Sequence, residues 1–227
     1  MLGLASTDAP LSSVDGATAT RQAILVELRR RGPSTLDGLT RALGATRGSV
    51  LQQLRALEAA GLVARTPERH GVGRPRHRYD VTPDAQRHFP SNYDGLAVSL
   101  LTAIESVGGA ELVEDVFQAR RRQLGDQVRE TMASRVGPDA SLGERVRALA
   151  VIQDEQGYLS EDFVAADGSF GLREHNCAIF HAAQGTPAAC AVELELFREV
   201  LGADVVREQH ILSGDRCCSY RVAAPQH

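Results

Sequence analysis

Residues 34–61 read STLDGLTRALGATRGSVLQQLRALEAAG, and two helices with their stop signals are written into that stretch. Ser34 or Thr35 can cap a helix carrying Leu36, Leu39 and Leu43, because a side-chain oxygen there accepts from a first-turn N–H that the helix leaves unpaired. Gly44 follows where a left-handed residue costs least. Thr46 can cap the next helix, which spaces Val50, Leu51, Leu54 and Leu57 along one face and ends at Gly61. Upstream, Ala23, Ile24, Leu25 and Leu28 form a short helical stripe stopped by Gly32-Pro33. Downstream, Leu62–Arg65 and His77–Val81 read as strands around a turn-rich, basic segment from Thr66 to Arg76. Three helices and a hairpin with a basic tip predict a winged helix-turn-helix.

In that architecture the N-terminal part of the third helix faces base edges in the major groove. The candidate contacts are therefore Thr46, Arg47, Ser49, Gln52, Gln53 and Arg55. Arginine matches the acceptor pair of guanine and glutamine the donor–acceptor pair of adenine. Gly71-Val72-Gly73-Arg74-Pro75-Arg76 reads as a mobile basic finger, and Arg74 and Arg76 suit phosphates or a narrow minor groove. Charge is distributed accordingly. Residues 21–90 hold 13 arginines against 6 carboxylates, a net +7, while the rest of the chain carries −11. A basic head beside an acidic body is the pattern of a DNA reader with a separate sensing or dimerising part.

Past the head, Asp94–Val107, Glu111–Val136 and Ser141–Gln153 have amphipathic helical patterns suited to a core and a dimer interface. Tyr158–Val164 and Ser169–Arg173 read as paired strands around Ala166-Asp167-Gly168, Ala188–Leu201 as a helix, and Val205–Leu212 and Cys218–Val222 as closing strands. The expectation is an α+β protein. Residues 1–17 are a disordered lead-in, 18–90 the winged helix-turn-helix, 91–156 a helical connector and dimerisation region, and 157–227 a small C-terminal α+β domain that binds a cofactor.

All four cysteines fall between 177 and 218. Cys177 ends a strand, Cys190 opens a helix, and Cys217 and Cys218 open the last strand. A helix N-terminus favours thiolate, and converging thiolates bind iron–sulfur, zinc or copper(I). Neighbours on a strand face opposite ways, so Cys217 and Cys218 do not readily serve one site. A three-cysteine set follows, with a fourth position left to His175, to Glu174 or another carboxylate, or to a small molecule. Buried cysteines acting only as small hydrophobes remain the plain alternative.

These residues resemble the SufR-type iron–sulfur-dependent repressors from about residue 20 to 222. The likeness rests on Gly71-Val72-Gly73-Arg74-Pro75, Glu174-His175-Asn176-Cys177, Cys190-Ala191-Val192-Glu193-Leu194 and Cys218-Ser219-Tyr220, and the spacing Cys177-x12-Cys190-x27-Cys218 is similar to the actinobacterial branch. The resemblance implies a homodimer on double-stranded operator DNA, one [4Fe-4S] cluster per subunit held by Cys177, Cys190 and Cys218, and repression of the genes that build such clusters. It gives Cys217 no role. A zinc- or thiol-redox-sensing regulator and a small-molecule-responsive one are the rival readings. No P-loop, GxSxG or HExxH is present, and no enzymatic activity is expected. The N-terminus lacks a basic stretch and an apolar h-region, and no uninterrupted apolar run reaches about 20 residues. The expectation is a cytoplasmic protein with no membrane partner.

Overall fold

A computed structural model describes residues 16–68 and 76–225, with side chains from Arg21 onward. The chain divides between Ser91 and Asn92 into two compact units. The first begins with α1 (Gly16–Arg31), a two-residue strand β1 (Ser34–Thr35), α2 (Leu36–Leu43) and α3 (Arg47–Ala59). The hairpin β2 (Val63–Glu68) and β3 (Arg76–Val81) and a 3₁₀ turn (Pro83–His88) complete it.

Local chemistry sets these boundaries. The Thr35 hydroxyl accepts from the Gly38 N–H to start α2, and the Thr46 hydroxyl accepts from the Ser49 N–H to start α3. Gly44 closes α2 at φ 61°, a conformation that costs glycine little and other residues more. β1 pairs with β3, which the sequence reading lacked, so the small sheet runs β1-β3-β2, antiparallel throughout. Ile24, Leu28, Leu39, Val50, Leu54 and Tyr79 form the core beneath it. The helix begins at Gly16, within the expected lead-in, whose first fifteen residues lie outside the described ones.

The second unit opens with α4 (Tyr93–Arg135), broken at Gly109, where φ 71° and ψ −173° interrupt the helical path. The two helices expected there are thus two halves of one broken element. α5 (Leu142–Glu155) starts with a reciprocal cap between Ser141 and Glu144. Then come β4 (Ser160–Val164), β5 (Phe170–Glu174), the short α6 (Phe180–Gln184), α7 (Pro187–Leu201), β6 (Asp204–Gln209), a 3₁₀ turn (Ile211–Ser213) and β7 (Cys218–Ala223). The antiparallel sheet runs β4-β5-β7-β6. The expected boundary near residue 156 does not appear as a division: Val128 and Met132 of α4 and Leu149 of α5 share one core with Phe197 of α7 and Tyr220 of β7.

The half of α4 before Gly109 is exposed along one side: Tyr93 is 76% exposed, Leu100 53% and Val107 85%. Contrary to the expectation from uninterrupted runs, an 18-residue window of α4 is long and apolar enough by composition to cross a bilayer, and only 6% of it is buried. Glu105 breaks the run without offsetting its apolar character. In water such a surface calls for a partner.

Candidate nucleic-acid interface and thiol site

Among the expected base-reading residues, α3 presents Arg47, Gln52 and Arg55 to solvent. Thr46 is exposed too, although its hydroxyl is occupied as the helix cap, and Ser49 is half-buried. Gln53 is a correction. It is 6% exposed and accepts from the Arg21 Nε–H at 2.7 Å, so it faces α1 and not the groove. Arg47 pairs with Asp37 on the surface. An exposed pair of this kind contributes little to stability, which leaves Arg47 available to a phosphate or a guanine. Arg76 is exposed at the start of β3, while Arg74 lies outside the described residues. An open groove is lined by Arg47, Arg65, Arg76, His77 and Leu51. Arg65 was missing from the sequence reading, and its place on a strand of the basic hairpin was the available signal. Leu51, read as core, lines the groove half-buried.

In the second unit, three chain segments bring Cys177, Cys190 and Cys218 into one neighbourhood. Cys177 follows β5, Cys190 sits in the first turn of α7 after Pro187, and Cys218 begins β7 opposite Glu174. Cys177 and Cys218 both act electrostatically on the Cys190 thiol. Cys177 and Cys190 join Leu212, Leu101 and Ile104 in a single apolar cluster, and the Ile211 N–H meets the Cys218 sulfur at 3.5 Å. Cys217 points elsewhere, its thiol donating to the Gln209 Oε1 at 3.3 Å.

The two residues named for the fourth position already have partners. The His175 Nε2 lies 3.1 Å from the Glu161 Oε1 on an exposed strand edge. Glu174 is buried and bound by the Gln153 amide at 2.9 Å and the Tyr220 hydroxyl at 3.4 Å. His210, which the sequence reading passed over, stands with its Nε2 3.4 Å from the Cys190 sulfur.

The family model described as "Bacterial regulatory protein, arsR family" matches residues 18–65, the three helices and the start of β2. The N-terminal unit is a regulator's DNA-binding winged helix. No curated protein matches the chain. Among solved structures, PadR of Bacillus subtilis in complex with operator DNA is 16% identical, covering 62% of this chain and 93% of that one at a TM-score of 0.29. A superposition that loose bears no weight for fold or function.

The thiol site of this regulator has a definite electrostatic character. Burial, followed by the nearby Glu193 carboxyl, pushes the Cys190 thiol up to about 11. Burial pushes Cys218 up to about 11 as well, and Cys177 is raised for the same reason. Desolvation and a neighbouring carboxyl oppose the thiolate that the helix N-terminus was expected to favour at Cys190. The raised thiols hold their protons more firmly than a free cysteine, and metal binding would reverse this by proton release. Beneath them lies a polar network. The Tyr220 hydroxyl donates to Glu193 at 2.8 Å, and Arg207 reaches Glu193 at 3.3 Å and the Cys190 carbonyl at 2.6 Å. The Arg207 Nε is buried and has no hydrogen-bond partner among the described residues. An orphaned cationic donor beside Cys190 suits an anionic thiolate-bound group.

Among the described residues no three His, Cys, Asp or Glu side chains are grouped to hold a single metal ion. Three thiols from separate elements, an apolar surround and an unpartnered guanidinium N–H are the donor chemistry that a thiolate-bound metal ion or cluster would use.

Proposed function

We propose that this regulator represses genes of iron–sulfur cluster assembly, binding operator DNA as a homodimer whose affinity depends on a [4Fe-4S] cluster held by Cys177, Cys190 and Cys218. The observation that carries the proposal is that Cys177 and Cys190, from separate elements, share one apolar cluster while Cys218 is near enough to act on the Cys190 thiol. The target genes come from the likeness of the cysteine motifs to SufR-type repressors. Support for the homodimer comes from the uncovered apolar side of α4, with Tyr93, Leu96, Leu100 and Val107 exposed. A second copy of the chain fits that role, since winged-helix proteins commonly read paired half-sites.

Coupling between the thiol site and the dimer has a physical route. Leu101 and Ile104 lie on the same half of α4 as the exposed stripe, and they pack into the cluster that contains Cys177 and Cys190. Held by Cys177, Cys190 and Cys218, the cofactor would tie together the ends of β5, α7 and β7 and would steady the apolar cluster against which Leu101 and Ile104 pack. A full switch from 1:99 to 99:1 demands about 5.5 kcal/mol of differential stabilisation.

Anaerobic purification with iron and sulfide analysis tests the reading. The expected result is a brown protein with about four irons and four sulfides per chain, lost in Cys190→Ser. Colourless protein without sulfide, after reconstitution with iron and sulfide, would overturn it. A second reading, an effector-binding regulator, draws on a cavity of about 270 Å³ lined by Val98, Leu101, Val113, His181 and Pro187. A metabolite that shifts DNA affinity of the metal-free protein would favour it.

A further inference from the structure

We propose that Asp37 is a specificity-determining residue of the DNA-binding head: its carboxylate holds the Arg47 guanidinium back from phosphate and presents it to the edge of a guanine. This deepens the DNA-recognition part of the reading above and rests on the head alone, whatever the thiol site holds. The two residues stand at neighbouring helix starts. Asp37 is the second residue of α2, whose first turn is fixed by the Thr35 hydroxyl accepting from the Gly38 N–H at 3.1 Å. Arg47 is the first residue of α3, whose start is fixed by the Thr46 hydroxyl accepting from the Ser49 N–H at 3.3 Å. Gly44 turns the chain between the helices at φ 61°, and the Arg47 Nη1 meets the Asp37 Oδ1.

Both side chains are largely open to water, 62% and 64% exposed, so their attraction adds little to folding. They lie in the groove that Arg65, Arg76 and His77 line from the hairpin, and Asp37 is the one carboxylate among the residues lining it. A carboxylate on a surface that meets DNA repels phosphates and lowers affinity for every sequence. What it can add is discrimination, because a group that penalises the wrong contact separates partners as surely as one that favours the right contact.

Arg47 shows which contact is penalised. Phosphate binding draws on the full charge of a cation, and Asp37 offsets that charge and occupies Nη1. Among the described residues no hydrogen bond engages the Nε or Nη2 of Arg47. Their N–H groups point in parallel, the arrangement that matches the O6 and N7 acceptors of guanine. An arginine already held on its other side also loses less freedom when it binds. Once DNA excludes water from the groove, the attraction between Asp37 and Arg47 strengthens and keeps the fork in place.

The test is binding of the full-length protein to a duplex that it selects from a random pool, and to a scrambled duplex, at several salt concentrations. Arg47→Ala is expected to lose about tenfold of discrimination at one G·C pair of the selected sequence. Asp37→Asn is expected to lose roughly threefold at that same pair, to bind the scrambled duplex more tightly than the wild type, and to steepen the salt-dependence slope by about 1. In the Arg47→Ala background Asp37→Asn is expected to change nothing at that pair, since the two residues act there as one unit. Asp37→Ser removes the same charge and carries the test if Asp37→Asn does not fold. Equal weakening on both duplexes would reduce Asp37 to a first-turn charge that steadies α2, and overturns the proposal. So does an Asp37→Asn protein whose selectivity and salt slope match the wild type. A wild type that selects no sequence from the pool defeats the DNA-reading head itself, and the assignment with it.

Discussion

Arg21 donates its Nε–H to the Oε1 of Gln53 at 2.7 Å, tying α1 to the inner side of the helix expected to read DNA. Two adjacent glutamines thereby take opposite roles. Gln53→Ala is expected to lower unfolding free energy by about 1 kcal/mol, the net worth of one such hydrogen bond, with the base preference unchanged. Gln52→Ala is expected to leave stability unchanged and to relax selectivity at one position of an operator selected in vitro. Denaturant unfolding together with competition binding checks both. A Gln53 variant with altered base preference and wild-type stability would contradict the placement.

The exposed arginines divide by position. Arg76 at the wing is expected to contact phosphate, so Arg76→Ala should weaken binding evenly across sequences and reduce the salt-dependence slope by about 1. Arg47 and Arg55 project from α3, and their loss should cost about 1–3 kcal/mol of discrimination at the base each one reads. Titrations at several salt concentrations on operator and scrambled DNA separate these outcomes.

Glu174 makes stability depend on pH. Burial, then the neighbouring Glu193, raises its carboxyl from the ordinary 4.5 to about 8. It faces Gln153 from α5, Tyr220 from β7, Glu193 from α7 and Arg207 from β6. The unfolded chain releases this proton near 4.5 while the folded chain keeps it to about 8. Folded protein therefore binds more protons in that window, and its stability falls as pH rises through it. Glu174→Gln is expected to flatten that decline in the metal-free protein. Urea unfolding at a series of pH values measures it, and an unchanged slope in the variant would contradict the assignment.

Gly109 holds φ 71° and ψ −173° inside α4, a region close to glycine-only. Gly109→Ala is expected to destabilise the protein by about 1–3 kcal/mol, or to straighten α4 and alter the dimer. Gly137→Ala, where an added Cβ meets nothing within 4 Å and φ is not left-handed, serves as the control. Thermal unfolding and sedimentation of both variants provide the readout.

The head was legible because its signals are local. Thr35, Thr46 and Gly44 each act within four residues, so caps and stops can be read directly from the string. The break at Gly109 was readable for the same reason. What escaped depends on distant partners. Gln53 differs from Gln52 only by one helical step, and the residue that draws it inward is 32 positions away. α6 is five residues long, too short to display a period. His175 attracted attention through proximity to Cys177 in sequence, yet the end of β5 turns it to Glu161. His210 was read as part of a strand running to Leu212, whereas β6 stops at Gln209 and the chain turns, bringing the ring to Cys190. The three cysteines could be nominated from their places at element ends and from the resemblance to SufR-type repressors, but the burial that raises their thiols could not.

The most direct measurement is operator affinity of the anaerobically purified protein before and after removal of its iron and sulfide, at one fixed salt concentration and with the DNA-free fold checked by circular dichroism. The account predicts tight binding that weakens by at least tenfold when the cofactor is removed and returns on reconstitution. Equal affinity in the two forms, with the cofactor demonstrably present in one and absent in the other, would contradict control of DNA binding by the thiol site.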